Sequence, residues 1–304
     1  MNDRRPILAV VIPLWNREAT IERTLQSVVM QTLANLEVIV VDDGSTDSSG
    51  KRASRTGDTR VRVVTLDSNR GPSYARNAGV EAATANLVAF LDSDDEVDPE
   101  WAEALSSPFS DASCAAVCCG YRNTRSSDAW ELLPGDLGPC FDHVVGRFQA
   151  GTFALRRDVF ASIGGYSENL LYGENTELGL RVVEWCSLNA KTVLSVPRVL
   201  HSWHQRPAIR NDDHLESRFE GALFTIQRHR DRLAKDPKLL ASYYAVAANS
   251  AYRLGNLGQA RTNFRSAVRC APSNARYLAW YLRSVLASIR QLRGRGLPTE
   301  GRNR

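Results

Sequence analysis

Apolar and polar positions along the first 95 residues switch repeatedly between two periods. Residues 7–14 are continuously apolar and rich in β-branched side chains, as a strand covered on both faces should be. Residues 18–31 carry Ile21, Leu25, Val28 and Val29 at helical spacing. Further strands are predicted over 36–41 and 60–66. Between them, Gly44-Ser-Thr-Asp supplies a turn and an N-cap for a polar helix over 48–55. Gly71-Pro-Ser opens the next helix, with Tyr74, Ala75, Ala78 and Ala82 on one face, and residues 87–91 form a fourth strand. Strands and helices alternating at such short intervals predict a doubly wound, mainly parallel α/β sheet.

The continuation is less regular. Residues 114–121 and 148–157 read as strands, 158–163 as a helix closed by Gly164-Gly165, and 191–196 as another strand. A helix from 172 onward would bury Leu178, Val182, Val183 and Trp185, whereas 122–142 shows no period and is expected to be a loop. From about Asp212 the pattern is wholly helical. Ala248, Leu254-Gly255, Ala260, Phe264, Ala267 and Pro272 have the spacing of one tetratricopeptide-type hairpin over 241–274. One repeat cannot bury both its faces, so helices over 216–234 and 277–292 should cover it. The expected organisation is an α/β domain over 1–210 and a helical region over 211–304.

Two strand ends carry candidate chemistry. Residues 36–41 run into Asp42 and Asp43, and residues 87–91 run into Asp92, Asp94 and Asp95. Ligands collect at the carboxyl ends of strands in open α/β sheets. Grouped acids repel one another unless a cation or polar ligand compensates them. The alternative for the second group is a solvated turn before a helix, with Asp98 as N-cap and Pro99 as first residue. Two such ends at one edge favour the ligand site.

Hydrophobic residues at 43% and charged residues at 24% suit a soluble globular chain. The net charge of +4 is uneven: from Arg276 onward seven arginines face one acid, Glu300, leaving the preceding residues at about −2. That balance argues against a general nucleic-acid binder. No apolar run approaches the roughly 18–20 residues that span a bilayer, and residues 7–14 suit a first strand better than a signal peptide. The six cysteines form no CxxC pair, so reduced thiols and a cytoplasmic location are expected.

Four segments carry a resemblance. Val11-Ile-Pro-Leu-Trp-Asn, Val40-Val-Asp-Asp-Gly-Ser-Thr-Asp, Asn69-Arg-Gly-Pro-Ser-Tyr-Ala-Arg-Asn-Ala-Gly and Phe90-Leu-Asp-Ser-Asp-Asp resemble, in order and spacing, the motif set of family 2 glycosyltransferases. The resemblance implies the GT-A fold, a nucleotide-diphosphate-sugar donor and inverting chemistry on a glycan, lipid-linked or small-molecule acceptor. It also implies that Asp92 holds the ribose side of the donor and Asp94 a cation. Hard oxygen ligands suit Mg²⁺ or Mn²⁺.

For such a reaction, Asp43, with Asp42 as alternative, would accept hydrogen bonds from the donor base or ribose. Pro13 and Trp15 stand at the end of the first strand, Trp15 either as a wall beside the base or as ordinary packing. Arg76 would bind a phosphate or orient the acidic loop, or else form a helix-surface ion pair. Gly164-Gly-Tyr-Ser-Glu followed by a helix is similar to the second half of the family, where the helix opens on Glu-Asp and the Asp is the base. Here the pair is Glu174-Asn175, and Asn cannot take a proton, which points to Glu174 and secondly Glu177, itself spaced for an ion pair with Arg181. His204 or His201 would complete the metal shell, or be structural. A non-catalytic nucleotide-sugar-binding or scaffold protein is the alternative reading; a nucleotidyltransferase would want a basic phosphate loop where only Arg17 stands.

The last predicted helix carries Leu278, Tyr281, Leu282, Val285, Leu286, Ile289 and Leu292 with Arg283, Arg290 and Arg293 among them. It either lies on an anionic membrane near a lipid-linked acceptor, or caps the helical region with its apolar face inward.

Overall fold

A computed structural model describes residues 5–124, 129–204 and 214–294, with side chains described as far as 289. The chain divides into two compact units, Met1–Pro207 and Ala208–Arg304; the expected boundary at 210 lies outside the described residues.

The first unit runs β1 (Leu8–Leu14), α1 (Ile21–Val29), β2 (Leu36–Asp42), α2 (Ser49–Ser54), β3 (Val61–Thr65), α3 (Pro72–Ala82), β4 (Leu87–Phe90), β5 (Glu96–Val97), α4 (Trp101–Ser106) and β6 (Cys114–Asn123). It continues with β7 (Trp130–Leu132), β8 (Gly135–Asp136), β9 (Val145–Gly146), β10 (Phe153–Arg156), α5 (Arg157–Ser162), α6 (Glu174–Leu188) and β11 (Thr192–Trp203). The main sheet has the order β3-β2-β1-β4-β10-β6-β11-β5, with β7 pairing beside β6. β3, β2, β1 and β4 are mutually parallel. β10 then enters antiparallel to both β4 and β6. This is the mainly parallel, helix-covered sheet the alternation predicts, with three reversed strands, β10, β5 and β7, that period alone does not announce.

β1 is central because it is apolar on both faces: Leu8, Val10 and Ile12 join one buried cluster with Leu25 and Val28 of α1, while Val11 packs under Gly79 of α3. Both acidic strand ends open on the same edge. β1 lies between them, so β2 and β4 are not neighbours, and Pro13 and Trp15 sit between the two acidic ends.

Several boundaries move for physical reasons. Asp98 and Pro99 do not start the next helix, whose first residue is Trp101. The expected strand over 148–157 survives only as β10, because Gly151, at φ +85°, turns the chain so that its amide reaches the Phe90 carbonyl at 2.6 Å. β11 runs past its expected end at 196. Pro197 lacks a donor, and the ladder to β6 slips between Ser195 and Val199 and then resumes. The aperiodic stretch 122–142 holds β7 and β8 rather than loop alone. No disulfide joins any of the six cysteines, which all lie among the described residues, and burial pushes the Cys118 thiol up to about 12.

The second unit is helical: α7 (Leu215–Arg228), α8 (Arg230–Leu233), α9 (Pro237–Arg253), α10 (Leu257–Cys270) and α11 (Ala275–Gly294). Asp236 caps α9 by accepting the Lys238 and Leu239 amides. The predicted hairpin appears as α9 and α10. Its core of Ala248, Ala251, Ala260 and Phe264 is covered by Phe219 from α7 and by Trp280 and Tyr281 from α11.

Candidate active site

The acidic segment after β4 is a turn, not an extended strand end. The Asp95 amide donates to the Asp92 carbonyl at 3.1 Å. In an extended segment residues two apart would share a side; a turn does not impose that on Asp92 and Asp94. Side chains from the N-cap and first turn of α1 hold this turn by successive carbonyls: Thr20 Oγ1 donates to Ser93 O (2.9 Å), Arg23 Nη2 to Asp94 O (2.9 Å) and Thr24 Oγ1 to Asp95 O (2.8 Å).

Asp95, to which the sequence attaches no role, anchors the other side. Its Oδ2 lies 3.0 Å from His201 Nε2, and its Oδ1 accepts the His204 amide at 2.9 Å. Burial pushes the Asp95 carboxyl up, opposed by the hydrogen bond and charge of His201. The His201 ring fits against Gly151, where any Cβ would come within 2.3 Å of it. Asp95→Ala would leave buried donors without an acceptor. It is expected to cost about 2–3 kcal/mol in urea denaturation and to lower turnover with it, because the turn that carries Asp92 and Asp94 loses its anchor.

Two further arginines meet the carboxylates of the turn. Arg76, on α3, is only 2% exposed and donates from Nη2 to Asp92 Oδ1 at 2.7 Å and from Nη1 to Glu174 Oε1 at 3.2 Å. Burial works against its charge, but Asp92, Tyr166 and Glu174 hold its pKa above the ordinary value, so it stays a cation. Arg17, just past β1, places Nε 3.6 Å from Asp94 Oδ2.

Glu174, the first residue of α6, is met by α3 because the segment before it is docked there. Asn77 accepts the Tyr166 amide (2.8 Å) and donates to the Tyr166 carbonyl (3.0 Å), and Ser73 Oγ donates to Leu170 O (2.9 Å). Gly165, at φ +64°, makes this approach possible, since a Cβ there would lie 2.7 Å from Asn77 Oδ1. Tyr166, packed edge-on against Phe90, donates from its hydroxyl to Asn175 Oδ1 at 2.8 Å; Asn175 Nδ2 in turn donates to Glu174 Oε1 at 3.0 Å. Burial pushes the Tyr166 phenol up, so it remains a donor. Both bonds to Glu174 fall on Oε1, and its Oε2 bonds to none of the described residues. Asn175 is thus a hydrogen-bond bridge that orients Glu174, a function an aspartate could perform only when protonated.

Glu177 is corrected as the second candidate base. Fully buried, it closes an ion pair with Arg181 at 2.6 Å and accepts from Ser167 at 3.2 Å. Arg181 also donates to the carbonyls of Ile163 and Gly165, so the pair fixes the Gly-Gly corner.

At the β2 end, the two aspartates divide. Asp43 accepts the amides of Arg70 and Gly71, both at 2.8 Å, and so shapes the loop into α3. Asp42 accepts the Ser45 amide at 3.0 Å and lines an open cavity of about 510 Å³ with Ser45, Lys51, Val63 and Thr65. Pro13, still in β1, pairs with Val41. Beyond it Trp15 is 47% exposed, so it is not core packing. Asn16, at φ +50°, accepts the Thr46 amide at 2.9 Å and ties the two loops together.

The two histidines expected as alternatives to complete a metal shell at Asp94 have other partners here. Among the described residues no three His, Cys, Asp or Glu side chains lie together so as to hold a metal. His201 is fully buried on Asp95. His204 places Nδ1 2.8 Å from Thr124 Oγ1 and Nε2 2.8 Å from Glu96 Oε1, the latter off-line for a hydrogen bond. With so few protein ligands together, a cation here would take most of its ligands from a bound substrate and water, as Mg²⁺ commonly does.

Arg17, Asp95 and Tyr166 are the members to which the sequence reading gives no role in the site. A basic residue one turn past the first strand, and a tyrosine straight after a glycine pair, were the available signals.

The profile of Glycosyl transferase family 2 matches residues 9–164, which spans β1 through α5 and the whole acidic edge. The uncharacterized glycosyltransferase YibD of Escherichia coli is 38% identical over 135 residues, covering 42% of this chain and 38% of that protein. The succinoglycan biosynthesis protein ExoO of Rhizobium meliloti is 43% identical over 98 residues, covering 32% of this chain and 28% of its own length. The matches thus span well under half of these relatives. TarS 1-349 of S. aureus, solved also in complex with UDP and with UDP-GlcNAc, superposes with a TM-score of 0.64 over 94% of this chain and 91% of that one, at 18% identity. That likeness shows the fold. With the profile covering half of the sequence and all of the acidic edge, the chain belongs to glycosyl transferase family 2.

Proposed function

We propose that this chain transfers a glycosyl group, with inversion, from a nucleotide-diphosphate-sugar donor to a hydroxyl of a glycan, lipid-linked glycan or small-molecule acceptor in the cytoplasm. The observation that carries the reading is the Asp92–Arg76–Glu174 bridge, which joins the acidic turn to the start of α6. The UDP-GlcNAc complex of TarS supports a nucleotide-sugar donor.

In this reading Trp15 and Asp42 face the nucleoside, with Asp43 shaping the loop beside it. Asp92 meets the ribose side of the donor. Arg76 fixes Asp92 and Glu174 relative to each other, so donor and base share one rigid frame. The acceptor oxygen forms its bond to the anomeric carbon as the carbon–oxygen bond to the diphosphate breaks, the electron pair leaving with the phosphate. Glu174 Oε2 takes the hydroxyl proton late in that displacement. Asp94 beside Asp92 would hold a Mn²⁺ or Mg²⁺, which would neutralise the leaving diphosphate.

Thermal shift with a panel of nucleotide sugars tests the donor reading. The right donor at 100 times its dissociation constant should add about 2.7 kcal/mol, more with Mn²⁺ than without, and the Mn²⁺ increment should vanish in Asp94→Ala. Equal stabilisation in all these arms would remove the cation; silence from every donor would sink the donor reading. Asn175 supports a second reading, a donor-binding scaffold, which predicts stabilisation without hydrolysis or transfer.

A further inference from the structure

The last helix of the second unit packs against the sense of its composition. α11 turns Trp280, Tyr281 and the fully buried Ser284 toward the hairpin. Its aliphatic side chains lie on the other side. Leu278, Leu282, Leu286 and Ile289 follow at steps of four, four and three, share one face, and are 41–57% exposed. The helix thus caps the hairpin through its aromatic side chains, as expected, but leaves this aliphatic stripe facing outward.

Exposed arginines border the stripe. Arg276 and Arg283 stand one heptad apart between the stripe and the hairpin side, both exposed, their guanidiniums 5.6 and 5.9 Å from the rings of Trp280 and Tyr252. Residues 275–294 contain no acid, and from Arg276 onward seven arginines face one glutamate. The side chains of Arg290, Leu292 and Arg293 lie outside the described residues and enter only through that charge.

We propose that this face of α11 docks on an anionic lipid surface, with the helix lying in the plane of the interface. The leucines enter the boundary between headgroups and acyl chains, and the arginines meet lipid phosphates. Among the described residues no helix is long and apolar enough to cross a membrane. A second copy of the helix is a poorer occupant, because pairing it with itself sets arginines near arginines with no acid to match them.

Co-sedimentation of the full chain with vesicles of phosphatidylcholine alone, or of phosphatidylcholine with phosphatidylglycerol, tests this. The chain should pellet with the anionic vesicles, hardly with the neutral ones, and less as salt rises. Leu282→Gln with Leu286→Gln should lower the partition coefficient at least about tenfold with circular dichroism and Tm unchanged. Both positions are exposed. Should that pair misfold, Arg276→Gln with Arg283→Gln reads the charge arm alone and should also weaken binding. No pelleting with anionic vesicles, equal pelleting with neutral ones, or binding untouched by a folded variant would overturn the proposal. A solution dimer dissolved by the leucine substitutions would give the face to a second copy instead.

Discussion

Arg76→Ala is expected to lower turnover by about two to three orders of magnitude and to destabilise the fold by about 3 kcal/mol. Arg76 is buried and charged, and its two partners come from segments that no other ion pair among the described residues bridges: Asp92 after β4 and Glu174 at the start of α6. Deletion leaves two carboxylates facing a buried gap, and like charges so placed repel. The stability cost sits at the low end for a buried pair because the Asp92 side chain is half-exposed and water screens it. Arg76→Lys keeps the charge, but an ammonium lacks the planar fork that reaches both acids, so most of the turnover should still be lost. Urea denaturation and steady-state transfer, measured on the same preparations, check both parts. An alanine variant with wild-type turnover would show that the bridge has no part in the reaction.

Glu174→Gln is expected to lower turnover by about two to four orders of magnitude while leaving donor-induced thermal stabilisation intact. Glutamine keeps the length and can still accept at Oε1, so Arg76 and Asn175 retain a partner and the frame survives. What disappears is a basic oxygen at the position of Oε2. If Glu174→Gln turned over like the wild type, another group would have to take the proton. Turnover absent from both proteins, with the donor still bound, would favour the scaffold reading instead. Asn175→Asp sharpens the comparison. It sets a new carboxylate beside Glu174 and removes the Nδ2 donor, so it should lower activity unless the introduced carboxylate itself takes over as base.

Much of the fold was legible in the chain because its signals are local. Apolar runs make β1, β4 and, beyond Glu37, β2 recognisable whatever surrounds them, since a strand buried on both faces has few polar positions to give. The acids that follow β2 and β4, and the parallel order that puts both at one edge, are likewise local or topological facts. The helical hairpin over α9 and α10 was readable from alanine and aromatic spacing. The strand boundaries that failed did so where a tertiary contact overrode propensity: Gly151 is pulled out of β10 by the Phe90 carbonyl, and β11 passes Pro197 because β6 resumes its ladder beyond it.

The site divides along the same line. Residue order was enough to place the chemical types at the edge: aspartates at two strand ends, Trp15 between them, Arg76 on α3, and a glutamate followed by asparagine opening α6. How they pair was settled by packing, because Arg76 and Glu174 are 98 positions apart and meet through the docking of Tyr166 on Asn77. Packing also bent Asp92 to Asp95 into a turn, buried the Glu177–Arg181 pair that spacing allowed, engaged His201 with Asp95, and gave Asn175 a donor's task. In α11 an apolar stripe with arginines beside it is written in the chain, whereas its outward facing is a result of how the helices assemble. The physical reason is common to all of these: period and composition set what a segment can bury, whereas which carboxylate meets which cation depends on where distant elements come to rest.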